Sequence, residues 1–416
     1  MSTDSFIPYK FSYPLLWFTD FALPGLMKLV HNVDDIIVSE SDRRMLKGLR
    51  DERVILVANH PSTKEPPLAF KVAQMMHSRF HYMAGREVFD WGNGLVGKLI
   101  QSIGAYSVLA GISDRESLKV SRQIIAKKAG KLALFPEGEP TGGENDNLLP
   151  FQAGAAQLAF WGFEDALKVD PDVEVTILPM YIKYRMSSRL EDIRRDVDRS
   201  LEVLERRFRL HKSGKTVVHR LLSIGKRMVL EAEKEFGLES SEEEDFDYRI
   251  GKLRHTILDQ VAEKTGIHKW NNDLNAIDKL RRLLSTFEMV SIGMNDPKLK
   301  LPDAEIAKWG REFCQRAYDF ISIQTDYLKS LASAERIYEW IYRIENEALG
   351  FTRQRPQNVH ITFAKPYKIS ELHKDYKKKK RPVLEKLTTS LRDDIQTLLE
   401  QEKAKSFALF AENHTF

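Results

Sequence analysis

Two short apolar runs, each ending in a turn rich in ionisable side chains, constrain this chain most. Arg53-Val54-Ile55-Leu56-Val57-Ala58 is apolar after its first residue and rich in β-branched side chains, which reads as a buried strand. It ends at Asn59-His60-Pro61, with Glu65 five positions beyond the histidine. Lys131-Leu132-Ala133-Leu134-Phe135 reads as a second strand, ending at Pro136-Glu137-Gly138. Residues 173–184 read as a third, interrupted at Pro179. Pro66-Pro67 suits the first turn of a helix continuing through 68–76, since proline is tolerated there. His60 and Glu137 therefore both follow strand ends, where an open α/β sheet forms its ligand crevice. The expected fold class is α/β, a mixed and mostly parallel sheet with flanking helices, interrupted by a helical insertion.

The residue types at these turns suit proton transfer. An imidazole has an ordinary pKa of ~6.5, near working pH, and serves as a general base. A carboxylate on its far side fixes the tautomer and stabilises the imidazolium as it forms. His60 and Glu65 have the spacing for such a pair. The plainer alternatives are a solvated turn histidine beside Pro61 and a surface acid before a helix. For Glu137 the plain alternative is a satisfied loop acid. No G-x-S-x-G nucleophile elbow and no phosphate-binding P-loop occurs, so neither a serine acyl-enzyme nor a nucleotide loop is indicated. His77 and His81 stand four apart, but without the glutamate of a zincin or an obvious third ligand no metal site is expected.

Taken in order, Asn59-His60-Pro61-Ser62-Thr63-Lys64-Glu65-Pro66, Phe135-Pro136-Glu137-Gly138, Leu149-Pro150-Phe151-Gln152-Ala153-Gly154 and Ile177-Leu178-Pro179-Met180 resemble the glycerolipid (lysophospholipid) acyltransferase family, typified by 1-acylglycerol-3-phosphate acyltransferase. The resemblance covers about 30–186 well and a stretch near the C-terminus more loosely. It implies transfer of a fatty acyl group from an acyl thioester to the hydroxyl of a lysolipid or glycerolipid precursor, with His60 as base oriented by Glu65. It implies substrate-binding roles for Phe135, Pro136, Glu137 and Gly138. It implies no cofactor beyond acyl-CoA or acyl carrier protein as co-substrate. Backbone N–H groups near Gly138 would be available to the oxyanion.

The chain departs from the family pattern at several places. Glu65 replaces the usual Asp. Ala110, Pro140 and Ala153 stand where relatives tend to carry arginine or lysine near the acceptor phosphate. Charge-assisted bonds to phosphate are roughly twice as strong as neutral ones, so their joint loss argues against a strong preference for lysophosphatidate. Arg115, in the capping-box sequence Ser113-Asp114-Arg115-Glu116, either substitutes for the missing arginine or only decorates the first turn of its helix, and Arg86 is another source of charge. Arg122, Lys64 and Lys183 are further sources of charge. Two other readings follow from the departures: a catalytically weak lipid-binding module, or a thioester hydrolase.

Length and texture suggest more than one unit. Residues 190–350 are dominated by helical periodicity and charge, as in Ile250, Leu253, Ile257, Leu258 and Val261. Residues 358–364 then alternate like a strand, and a lone strand needs a sheet to join. The reading is an N-terminal interfacial segment at 1–30, an acyltransferase domain split between 31–186 and 357–405, and a helical insertion at 187–356. A last helix is expected from about 382 to 403. Residues 11–30 are rich in Trp, Phe and Leu but interrupted by Pro14, Asp20, Pro24 and Lys28. Spanning needs ~20 mostly apolar residues, so an amphipathic helix in the membrane interface fits better. Packing on the protein's own core is the alternative. Lys377-Lys378-Lys379-Lys380-Arg381 would meet anionic headgroups or form a solvated loop. A net charge of only +4 and no accompanying fold signature leave nucleic acid without support. The single cysteine, Cys314, excludes an internal disulfide. With no secretory signal apparent, a cytoplasmic, membrane-peripheral protein is expected.

Overall fold

The computed structural model describes residues 6–62, 64–109, 114–138, 144–211, 216–241, 244–267, 269–293, 300–321 and 325–410. The chain divides into two compact units, Met1–Arg185 with Gln357–Lys405, and Met186–Pro356 with Ser406–Phe416.

The first unit runs α1 (Tyr13–His31), β1 (Val33–Val38), α2 (Glu40–Gly48), β2 (Arg53–Ala58), α3 (Glu65–Met75), β3 (His81–Gly85), α4 (Leu95–Ser102), β4 (Ala105–Val108), α5 (Arg115–Ala126), β5 (Lys131–Leu134), α6 (Gly154–Leu167) and β6 (Val175–Met186). The second unit contributes α7 (Leu190–Arg207), α8 (Val217–Glu235), α9 (Phe246–Lys264), α10 (Ala276–Ser291), α11 (Ala304–Ile321), α12 (Thr325–Ser330) and α13 (Ala334–Leu349). The chain then returns to the first unit with β7 (Gln357–Phe363), β8 (Tyr367–Lys368), α14 (Ile369–Lys378) and α15 (Lys380–Lys403).

Among the described residues the strands form one eight-stranded sheet in the order β1-β7-β6-β2-β5-β3-β4, with β8 pairing β6. β1 with β7, β2 with β5 and with β6, and β3 with β4 and with β5 are parallel, while β8 is antiparallel to β6. The fold is therefore mixed α/β with a mostly parallel sheet, as the sequence predicts. β2 shows why its run is apolar throughout. Val54, Leu56 and Ala58 pack with Leu23, Leu68, Val72 and Ile361 on one face. Ile55 and Val57 pack with Ile124, Phe160, Leu391 and Ile395 on the other. A parallel sheet covered on both sides has no polar face to alternate with.

Two boundaries differ from expectation. β6 continues through Pro179 rather than breaking there. Proline removes one ladder donor, but Leu178 and Met180 keep register with Leu56 and Ala58, and the Pro179 carbonyl accepts from Ala364 N at 3.1 Å. The last helix begins at Lys380, and a separate helix, α14, precedes it. The basic run 377–381 is thus mostly helical rather than a loop.

α1 buries Leu16, Thr19, Leu23 and Met27, at spacings of three and four residues. Its other face leaves Trp17, Phe18, Phe21, Leu29 and Val30 largely exposed, Phe21 at 88 %. Pro14 sits in the first turn, where its missing N–H is harmless. No helix among the described residues is long and apolar enough to cross a membrane.

The second unit is built on its own apolar core, including Leu201, Leu221, Leu253, Leu283, Cys314 and Ile341. Arg249 is buried against Glu233 through two bonds of 3.0 and 2.5 Å. Arg220 meets Glu205 at 2.8 and 2.9 Å.

Candidate active site

β2 delivers Asn59 and His60 at its C-terminal end. Asn59 is fully buried and extends the β2–β6 pairing past the strand: its amide nitrogen donates to Ile182 O at 3.0 Å and its oxygen accepts from Ile182 N at 2.8 Å. A side-chain amide carries the donor and acceptor of a peptide unit, so Asn59 continues the ladder while freeing the next residue to turn.

Glu65 opens α3 and is completely buried. Its Oε2 lies 2.7 Å from His60 Nδ1 and accepts from Ser62 N at 3.1 Å. Its Oε1 accepts from the Ser62 hydroxyl at 2.8 Å and the Tyr184 hydroxyl at 2.6 Å. The extra methylene of Glu relative to Asp is thus absorbed in a network that occupies both oxygens. Burial and the adjacent Glu65 carboxylate push the Tyr184 phenol well above its ordinary range, so it remains a donor to Glu65. The His60 side chain keeps 16 % exposure.

The turn after β5 holds His60 from two directions. Phe135 stacks on the imidazole, with ring centroids 4.6 Å apart and planes 28° from parallel. Glu137, fully buried, accepts from His60 N at 2.7 Å through Oε1 and from Leu149 N at 2.6 Å through Oε2. Burial pushes its carboxyl up to about 7, against the pull of those two amides. The Pro136 carbonyl accepts from Gln152 N at 2.8 Å. Gly138 has φ +80°, a backbone conformation that calls for glycine. Gly138 N donates to Phe135 O at 3.1 Å within the turn, so that N–H is not waiting for an oxyanion.

The five candidate cations separate clearly. Lys183 forms an ion pair with Asp146, and both side chains are completely buried. Arg122 makes a bidentate pair with Asp165 at 2.7 and 2.9 Å. Arg86 pairs with Asp90 at 2.9 Å. Arg115 lines an open groove with Lys119, Arg122, Trp161 and Asp165 on α5 and α6, a group that contains neither His60 nor Glu65. Lys64 stands beside the dyad, its ammonium 5.5 Å from the centre of the Tyr184 ring. Burial pulls it down to about 8, with Glu65 opposing. Ala110, Ser113, Glu139 and Pro140 lie outside the described residues. The cap of α5 is Asp114, accepting from Glu116 N and Ser117 N at 3.2 Å.

The structure thus brings His60, Glu65, Phe135 and Glu137 together, and leaves Arg86 paired with Asp90 and Arg115 in a separate groove. It adds Ser62, Tyr184 and His31. His31, at the end of α1, is held below its ordinary value by burial first and then by Lys64, with Glu65 acting the other way. Tyr184 lies in a strand whose apolar pattern signals only core, and His31 is remote in sequence from the motifs. His77 and His81 do not share a helix: α3 ends at Met75, and His81 starts β3 with Nδ1 3.2 Å from Lys131 O.

At the end of β2 a partly exposed histidine thus has a buried carboxylate at Nδ1 and a Phe-Pro-Glu-Gly turn against its ring and its backbone N–H. Residues 35–183 match the family model described as Acyltransferase. This span is an acyltransferase domain of the glycerolipid acyltransferase family. No curated protein and no solved structure matches the chain.

Proposed function

We propose that the protein is an O-acyltransferase that moves a fatty acyl group from an acyl thioester, on CoA or acyl carrier protein, to the hydroxyl of a lysolipid or glycerolipid precursor. The observation that carries this reading is the 2.7 Å contact between His60 Nδ1 and the buried Glu65 carboxylate. With Nδ1 engaged, Nε2 is the nitrogen that takes the proton of the acceptor hydroxyl. The hydroxyl oxygen attacks the thioester carbonyl, the C–S bond breaks, and the imidazolium returns the proton to the departing thiolate. Glu65 stabilises the imidazolium in between.

The family default acceptor is 1-acylglycerol-3-phosphate. In this chain Lys64, beside Tyr184 and acting electrostatically with Glu65, is the candidate cation rather than an arginine of the later motifs. An acceptor phosphate, where one is present, is assigned to it. Apposition to a lipid surface is assigned to the exposed face of α1, where Trp17, Phe18 and Phe21 suit the interface.

The test is thioester cleavage by purified protein with and without lysolipids in mixed micelles. Acyl transfer that requires the acceptor supports the proposal. Cleavage that ignores the acceptor identifies a hydrolase, and no cleavage with bound lipid identifies a binding module.

A further inference from the structure

In resembling proteins the glutamate of the Phe-Pro-Glu-Gly turn would be expected to meet the acceptor. The geometry here points elsewhere: we infer that Glu137 is a positioning residue for His60, tying the backbone of the histidine turn to the segment that carries Leu149. The inference rests on the reading of His60 as general base.

Glu137 has no solvent-facing surface, and each carboxylate oxygen accepts from a backbone amide, His60 N, 77 positions away, at 2.7 Å and Leu149 N, 12 positions away, at 2.6 Å. An acceptor group would have to reach a carboxylate that is sealed from solvent and already engaged on both oxygens by backbone amides. The same turn places Phe135 on the imidazole face. Backbone and ring of His60 are therefore held by neighbouring residues of one turn, while Glu65 holds Nδ1. A carboxylate suits the task because it accepts on both oxygens. An amide has one acceptor oxygen and an NH2 group, so glutamine would turn a donor toward one of the two N–H groups. Aspartate is one methylene shorter and cannot span both amides without moving one strand end.

The experiment has two arms. In the first, Glu137→Gln and Glu137→Asp are compared with wild type for kcat and for acceptor KM, after circular dichroism confirms folding. A misplaced base loses turnover, and a displacement of ~1 Å costs on the order of 10²-fold. The expected result is a kcat loss of that order with acceptor KM within about twofold, and little further loss when Glu137→Gln is added to His60→Ala. A raised acceptor KM with kcat intact overturns the inference in favour of acceptor binding. In the second arm, backbone amide NMR of the unmodified protein follows His60 and Leu149 through a pH titration without substrate. Both amides should report the titration of one shared carboxyl group. If both are silent while other amides titrate, Glu137 does not bridge them and the inference fails. This arm needs no turnover, so it stands apart from the fate of the acyltransferase reading.

Discussion

His60, Glu65 and Lys64 carry the sharpest expectations. His60→Ala should abolish acyl transfer in a protein that still folds, with the melting temperature lowered because Phe135 loses its stacking partner and the buried Glu65 carboxylate loses a bond. Glu65→Gln should lose much of the rate, and adding it to His60→Ala should cost little more, as for residues that act as a unit; full activity in a folded His60→Ala protein removes the mechanism. Lys64→Ala should raise KM for a phosphate-bearing lysolipid by at least about tenfold, as expected when a charge-assisted bond of ~1.5–3 kcal/mol is lost, and leave KM for a neutral lysolipid alone. With its ammonium pulled down to about 8, Lys64 carries charge below that pH and loses it above. KM for the phosphate-bearing acceptor should therefore climb as pH rises through about 8. Equal KM for both acceptors at every pH would show that Lys64 does not read phosphate. Glu137 links pH to stability: its folded value is raised from 4.5 to about 7. Its proton therefore favours the folded state fully below 4.5, an advantage lost as pH rises through about 7. The stability of wild type relative to Glu137→Gln, from urea unfolding, should fall across that window. His60 and Glu65 were legible in the sequence because their chemistry sits five residues apart in one turn. The second ring of contacts was not, since Tyr184 reaches Glu65 across 119 positions and Glu137 reaches His60 N across 77. Such pairings follow from strand order, which a single sequence does not state.

α1 shows how one helix satisfies two readings. Its 3–4 spaced face of Leu16, Thr19, Leu23 and Met27 packs inward, and the remaining aromatic residues stay outside. Leu23→Ala should destabilise the first unit by about 2–5 kcal/mol through loss of buried methyl groups. Phe21→Ser and Trp17→Ser should shift stability by less than about 0.5 kcal/mol, as exposed substitutions do, yet reduce co-sedimentation with anionic vesicles. Unchanged vesicle binding in the double variant would remove α1 as the contact. Periodicity revealed the presence of this helix. It could not say which face would be covered, because both faces are apolar and only the fold supplies a partner for one. The reading of β6 went astray at Pro179 for a related reason. Local propensity counts the missing N–H, whereas the paired residues on either side outweigh it.

The helical unit depends on buried charge as well as on its apolar core. Arg249→Ala would strand Glu233 without its partner, at a cost of about 3–5 kcal/mol. Replacing both residues with apolar ones of similar size should cost far less, and denaturant unfolding of the two variants checks the contrast. Amphipathic spacing made these helices visible in the sequence. Their charge pairing was not, since a salt bridge and a solvated charge look alike until the helices are packed. The same holds for the tail, where Leu409 joins the core of the second unit and donates to Ala332 O at 2.9 Å.

The position of β7 between β1 and β6 bears on how the chain is made. During synthesis β1 emerges early, but the strand that attaches it to the rest of the sheet lies beyond more than 300 intervening residues. Pairings of such sequence separation form late, because loop closure must precede any gain from contact. Until residues 357–363 leave the ribosome, β1 and the flank of β6 that receives β7 stand open, and unpaired edges of this kind invite association between chains. The helical unit, translated by then except for the tail that carries Leu409, can begin to fold while the sheet waits. Arrested nascent chains ending before residue 357 should therefore show protease protection in the helical unit but not in β1, and should be the length class that most needs a chaperone.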